Sequence, residues 1–316
     1  MKKIRVVVIC GPTATGKTKL SVELCREFSG EVVSADSMQV YKMLDVGSAK
    51  PSQSERGGVA HHMMDVIEPS KSFNVSDYCR AASRCIEDID RRGRLPFVVG
   101  GTGLYIDSLI GGVDFSPIEN DYEYRDELKA RAKAEGTAAL YSELMRIDAR
   151  SAEKISVNDE KRIIRALEIY RATGKTKSYF SDRSKEKESI YEPLYIGLNY
   201  HDRALMYERI RARVDEMMSA GLLYEVKRLT EIDGFLSSTA SRGIGYKELY
   251  PFLRGECTLP DAVEEIKRAS TRYAKRQLTW FRRNKDINWL YADSDGGFDE
   301  VISEARKLVA EFLSKR

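Results

Sequence analysis

No apolar run in this 316-residue chain approaches the roughly 20 residues that a membrane span needs, so no segment reads as a transmembrane helix. Cysteine is sparse: Cys10, Cys25, Cys79, Cys85 and Cys257 are odd in number and form no Cys-x-x-Cys pair. That argues against a disulfide framework and a thiolate zinc site, and fits small buried hydrophobes in a reducing compartment, the cytoplasm. Histidine is rarer still. His61, His62 and the distant His201 lack the spacing of a catalytic or zinc cluster and read as structural. Neither sign of charge dominates, since 52 Lys and Arg face 49 Asp and Glu. Any affinity for nucleic acid must therefore come from local clusters of basic residues. There is no internal repeat and no low-complexity segment, and 42% hydrophobic with 32% charged residues describes a globular chain. The opening Met1–Cys10 faintly resembles a signal peptide, but it runs straight into a glycine motif that requires a preceding strand.

What is present alternates between two periods. Ile4–Ile9 is a β-branched run of strand length, followed by Leu20, Leu24 and Phe28 at helical spacing. A second short strand is expected over 31–35, a helix over 78–92 and a third strand over 95–99. Strands separated by helices indicate a parallel sheet covered on both faces, an α/β fold of the P-loop NTPase-like kind. From about Phe115 the pattern becomes polar and helical, with helices expected over 124–135, 137–146 and 159–172 and a charged loop over 181–189. Strand character returns at 194–198. We therefore expect a catalytic core made of residues 1–115 and 194–316, interrupted by an all-helical insertion over 116–193. Helices over 203–232 and 261–283 and a late strand over 288–291 complete the expectation.

Gly11, Pro12, Thr13, Ala14, Thr15, Gly16, Lys17 and Thr18 fit G-x-x-x-x-G-K-[ST] between a strand and a helix. Such a loop turns backbone N–H groups inward at a helix N-terminus and binds the phosphates of a diphosphate or triphosphate. Lys17 is expected to reach terminal phosphate oxygens and the Thr18 hydroxyl to join the shell of a Mg²⁺ ion. The expected third strand ends in Gly100, Gly101 and Thr102, where an NTP hydrolase would carry a carboxylate. The carboxylate ends the second strand instead, at Asp36. Ligands in such sheets bind beyond the carboxyl ends of the strands, so Asp36, Thr102 and the P-loop are expected to converge. Asp36 then reads as a base, a Mg²⁺ ligand or a helix cap.

Several segments in order resemble the bacterial tRNA dimethylallyltransferase (tRNA isopentenyltransferase) family. They are the P-loop, Asp36–Tyr41, Gly47–Lys50, His61-His62, Val99–Tyr105, Asn158-Asp159 with Arg162–Glu168, Arg209–Asp215, Gly243–Lys247 and Thr271–Arg282. The resemblance covers nearly the whole chain. Thr15, Ala60, Tyr122 and Val157 depart from the usual residues, and none of them removes a functional group. It implies transfer of a dimethylallyl group from dimethylallyl diphosphate to the exocyclic amine of the adenosine just 3′ of the anticodon, by a monomeric enzyme. In that reading Asp36 takes the amine proton and Thr102 hydrogen-bonds near the base or the bridging oxygen. Lys17 and the P-loop hold the departing pyrophosphate, and Arg213 clamps it.

The resemblance also implies tRNA contacts at Asp36, Ser37, Met38, Gln39, Thr102, Arg125, Lys161, Arg162, Ile163, Ile164, Arg165, Arg242, Gly243, Ile244, Gly245, Tyr246 and Lys247. Independently of it, basic residues cluster at Lys161–Arg165, around Gly243–Tyr246, and from Lys267 to Arg283 with Tyr273, Trp280 and Phe281 between them. Such sets neutralise phosphates, and aromatics can stack on unpaired bases, although aromatics at helical spacing more often belong to a core. The remaining readings are a prenyltransferase acting on free adenine nucleotides, a small-molecule kinase and a non-catalytic RNA-binding module.

Overall fold

The computed structural model describes residues 3–113, 121–186 and 188–315. The expected core–insertion boundary at 115/116 lies outside them. The chain divides into two compact units, one of Met1–Ile110 with Ile190–Arg316 and one of Gly111–Ser189.

The larger unit begins with β1 (Ile4–Cys10), α1 (Lys17–Glu27), β2 (Gly30–Ser34), α2 (Gln53–Arg56), β3 (His61–His62), α3 (Val75–Arg91), β4 (Leu95–Gly100) and α4 (Gly103–Ile110). The smaller unit is helical, with α5 (Tyr122–Glu135), α6 (Thr137–Ile147), α7 (Ala149–Ala152), α8 (Glu160–Thr173) and α9 (Lys177–Glu186). The larger unit resumes with β5 (Tyr191–Asn199), α10 (Arg203–Ser219), α11 (Leu222–Thr230), α12 (Tyr250–Leu253), α13 (Leu259–Phe281), β6 (Ile287–Tyr291) and α14 (Gly297–Ser314).

All pairings in the sheet are parallel, in the order β3-β2-β4-β1-β5-β6. β1 shows why the stretch Val6–Cys10 is apolar at every position rather than alternating. Val6, Val8 and Cys10 point into one core beside α3 and α4, while Val7 and Ile9 point into another beside α1 and α14. A parallel strand covered on both faces has no polar side to write into its sequence.

Three differences from the sequence reading have physical causes. Residues 181–189 were expected to form a charged loop, yet α9 runs to Glu186; its Lys and Glu residues are good helix formers even without an apolar stripe. The expected helix over 203–232 breaks at Gly221, whose φ of +97° caps α11 and separates it from α10. α14 was not anticipated, although Val301, Ala305, Val309 and Phe312 form its buried stripe.

Candidate active site

The carboxyl ends of β1, β2 and β4 carry the loops that the sequence singled out. A single cavity of about 1580 Å³ in the larger unit is lined by Thr13–Thr18, Asp36–Gln39, Asp45–Lys50, Gly100-Gly101, Arg213 and Tyr273, among others. β1 delivers the P-loop. Gly11 leaves the strand at φ +140°, and a Cβ there would lie 2.3 Å from the Leu198 carbonyl oxygen of β5, so only glycine passes. Gly16 caps α1 in the left-handed region, φ +87°, against the Phe298 ring. Thr15 Oγ1 donates to the Pro12 carbonyl at 2.9 Å and Lys17 Nζ to the same oxygen at 2.5 Å. Gly11 and Pro12 are buried and shape the loop; Thr13 to Thr18 face the cavity.

One expectation is corrected here. The Thr13 N–H does not turn toward a phosphate. It donates to Gln277 Oε1 at 3.0 Å, which leaves fewer P-loop amides for an anion than the motif alone suggests.

Burial and the nearby Arg213 guanidinium push the Lys17 ammonium down to about 8, against the attraction of Asp36. Burial likewise lowers Arg213, opposed by Asp36, Glu216 and Glu55. Arg213 makes no ion pair within 4 Å among the described residues. Two half-buried cations thus face one cavity, with Asp36 the carboxylate that both of them feel.

Asp36 follows β2 directly. Its Oδ1 accepts from the Met38 N–H at 2.8 Å and the Gln39 N–H at 3.4 Å, which holds the carboxylate rigidly at the mouth of the turn. No helix starts here, so the helix cap weighed from the sequence is not what the structure shows; Oδ1 ties down the turn over 37–40 instead. That leaves Oδ2 without a hydrogen bond among the described residues. Thr102 Oγ1 accepts from the Ser37 N–H at 3.1 Å, and Thr102 N–H donates to the Ala35 carbonyl at 3.1 Å, so β4 and β2 are tied at their ends. Thr102 is not among the lining residues; Tyr273 of α13 is. Burial and then Asp36 push the Tyr273 hydroxyl up to about 12, against hydrogen bonding from Thr102 and Gln277.

Gln277 is what sequence reasoning passed over; Tyr273 was read only as an aromatic within the basic stretch. Gln277 looked like one polar residue in a basic helix. Its i+4 spacing from Tyr273 on an otherwise apolar helix face was the available signal.

The tRNA set expected from the sequence divides. Asp36–Gln39, Arg242, Gly243, Ile244, Gly245 and Lys247 all line the cavity. Tyr246 does not: its ring is fully buried and its hydroxyl donates to Glu225 at 2.8 Å, so it is core and no stacking platform. In the smaller unit Lys161 and Arg162 are exposed on α8. Ile163 and Ile164 are core residues, because a helix that shows basic residues at 161, 162 and 165 must turn 163 and 164 inward. Arg125 is held bidentately by buried Glu168, at 2.6 and 3.0 Å. Along α13, Lys267 pairs with Asp215 and Arg272 with Glu265. Two of the three histidines make structural contacts: His62 joins Arg92 and Arg94 around buried Glu31, and His201 stacks on Tyr291. His61 lines the cavity, with its Nδ1 at 2.9 Å from the Val59 carbonyl.

The donor set fits Mg²⁺. The Thr18 hydroxyl makes no hydrogen bond among the described residues, and Asp36 and Glu55 are hard carboxylate donors lining the same cavity. No group of three or more His, Cys, Asp or Glu that could hold a metal by itself occurs among the described residues. That suits an ion whose remaining ligands are phosphate and water.

Fold and cavity together define a P-loop α/β protein in which Lys17 and Arg213 share a cavity with a fixed carboxylate. The IPP transferase family model matches residues 39–284, and an isopentenyl transferase model matches residues 4–66. The tRNA dimethylallyltransferase of a Thermoanaerobacter species is 45% identical over 98% of this chain and 99% of its own. That of Halalkalibacterium halodurans is 44% identical over 99% of each. The crystal structure of a tRNA isopentenylpyrophosphate transferase from Bacillus halodurans matches with a TM-score of 0.73 at 43% identity, covering 98% of this chain and 96% of that one. A eukaryotic dimethylallyltransferase, captured acting on tRNA, matches with a TM-score of 0.85 at 32% identity, covering 99% of this chain and 80% of its own. This chain belongs to the tRNA dimethylallyltransferase (IPP transferase) family.

Proposed function

We propose that the protein transfers the dimethylallyl group of dimethylallyl diphosphate to the exocyclic amine of the adenosine just 3′ of the anticodon in tRNA, releasing diphosphate. The observation that carries this reading is the pair of half-buried cations, Lys17 and Arg213, in a P-loop cavity that also presents a fixed carboxylate. Such a cavity is short of negative charge on one side and offers a base on the other.

The amine nitrogen forms a bond to C1 of the dimethylallyl group while the C1–O bond breaks, and that electron pair leaves on the diphosphate. Lys17, Arg213 and the remaining P-loop amides stabilise the charge that develops there, in surroundings that exclude much of the solvent. Adenine's amine is a weak nucleophile because its lone pair is delocalised into the ring. Asp36 Oδ2 takes the proton as the new bond forms, and Oδ1 stays pinned by Met38 and Gln39. Mg²⁺ would be held by the Thr18 hydroxyl and, when bound, supplies further countercharge to the phosphates.

A stacked adenine cannot reach Asp36, so the target base swings out of the anticodon loop into the cavity. Arg242 and Lys247 at the cavity, and Lys161 and Arg162 on α8, are the cations we assign to the tRNA backbone. The enzyme acts in the cytoplasm as a monomer in this reading.

Replacing Asp36 by Ala tests it. Turnover is expected to fall about 10²–10⁴-fold, with dimethylallyl diphosphate still bound in a fluorescence or calorimetric titration. Loss of diphosphate binding with normal turnover per bound complex would instead make Asp36 a ligand-holding group.

A further inference from the structure

One buried side chain ties the two halves of this site together. Gln277 is 5% exposed and sits on α13, a helix remote in sequence from both catalytic loops. Its Oε1 accepts the Thr13 N–H of the P-loop at 3.0 Å, and its Nε2 donates to the Gly101 carbonyl at 2.9 Å. Thr13 belongs to the loop that holds the leaving group. Gly101 precedes Thr102, which in turn fixes Ser37 beside Asp36. The fit is tight: a Cβ on Gly101 would come within 2.1 Å of Gln277 Nε2, so residue 101 has to be glycine for the amide to reach. One helical turn earlier, Tyr273 lines the same cavity.

The amide is also chemically particular. One end must accept and the other must donate, 264 and 176 residues away in the chain. Glutamine does both without charge at any pH, whereas a glutamate could do so only when protonated.

We propose that Gln277 is a positioning residue for prenyl transfer, setting the separation between the diphosphate cradle and the base-side loop of Asp36 and Thr102. The inference rests on the functional reading given above. Its role is geometric, since Gln277 touches loops and not the reacting atoms. A displacement of about 1 Å between reacting groups can cost about 10²-fold in rate, so a clamp of this kind acts on kcat more than on substrate affinity.

The test compares wild type, Gln277→Met and Gln277→Glu by steady-state prenyl transfer from dimethylallyl diphosphate to tRNA between about pH 5 and pH 8, with thermal melting alongside. Gln277→Met fills the space and makes neither bond, so kcat is expected to fall about 10–100-fold while both KM values stay within about threefold. Gln277→Glu keeps the acceptor for Thr13. It can donate to Gly101 only when protonated, so its activity relative to wild type in the same buffer should rise as the pH falls. Taking that ratio removes titrations common to both proteins, those of the substrates among them. A folded Gln277→Met with unchanged kcat would overturn the proposal, as would a Gln277→Glu ratio that is flat with pH. If Gln277→Met does not fold, the Gln277→Glu ratio decides alone. A wild-type protein that fails to prenylate tRNA would refute the functional reading itself; an active wild type with indifferent variants would refute only the clamp.

Discussion

At the scale of single residues, the site is organised by side chains that carry charge against a cost. Lys17 is the clearest case. Its ordinary value of 10.5 falls to about 8 because burial and Arg213 both disfavour the charged form. An arriving diphosphate favours that form again. Between about pH 8 and pH 10 the free protein has largely lost the proton and must take it up on binding, so diphosphate affinity is expected to fall with rising pH there, by up to about tenfold per unit. Calorimetry in two buffers of different ionisation enthalpy, near pH 9, should register uptake approaching one proton, and little near pH 7. Lys17→Arg, which stays charged, should abolish the uptake. No uptake in the wild type near pH 9 would contradict the assignment of Lys17 as a half-buried phosphate ligand. The same linkage bears on folding: because the folded state binds this proton less tightly than the unfolded chain, stability attributable to Lys17 rises with pH through that window. Residue-level reading from sequence brought Lys17 and Asp36 to one cavity, because each sits in a local motif at a strand end. It failed at Tyr246, Ile163 and Ile164, because a stretch of sequence places residues in a region without saying which side chains turn inward.

At the scale of elements, loops at the strand ends are held by acceptors from helices far along the chain. Glu225 of α11 is one. Its carboxylate accepts from the backbone N–H groups of Asp45, Val46 and Gly47 at 2.7–3.0 Å and from the Tyr246 hydroxyl, and these three backbone residues line the cavity. The Gly47 position is forced, since a Cβ there would strike the Tyr246 ring at 2.5 Å. Replacing Glu225 by Ala removes the acceptor for four donors at once. Hydrogen exchange at Asp45–Gly47 is expected to quicken by about tenfold or more, as each lost bond contributes about 0.5–1.5 kcal/mol, while exchange in β1 and β4 stays as it was. Unchanged protection at those three amides would show that the loop is held by other contacts. The strands were legible in the sequence because β-branched runs bounded by glycine mean little else. α14 and the four-residue α2 were not read, and neither was the two-residue β3, too short for a periodicity to show. Gln277 was hidden for a different reason: its importance lies entirely in pairing over 264 residues of chain, which no local pattern encodes.

At the scale of the molecule, the sheet order brings the ends of β1, β2 and β4 side by side, so that residues 11–18, 36–39 and 100–102 meet although they are scattered along the first third of the chain. α10 and α13, from the last third, close the cavity with Arg213, Tyr273 and Gln277. The smaller unit carries its own core of Leu128, Leu140, Leu144, Ile163 and Leu167, and an exposed Lys161-Arg162 pair that needs no such core to be recognised as basic. The proposed reaction requires the P-loop to serve a prenyl diphosphate and not a nucleotide triphosphate, with a tRNA base as acceptor. Incubating the protein with dimethylallyl diphosphate labelled in the prenyl group, together with tRNA, free adenine nucleotide and ATP, tests this most directly. Label is expected on tRNA alone, at the adenosine 3′ of the anticodon, with no consumption of ATP. Label on the free nucleotide, or ATP turnover without prenyl transfer, would contradict it.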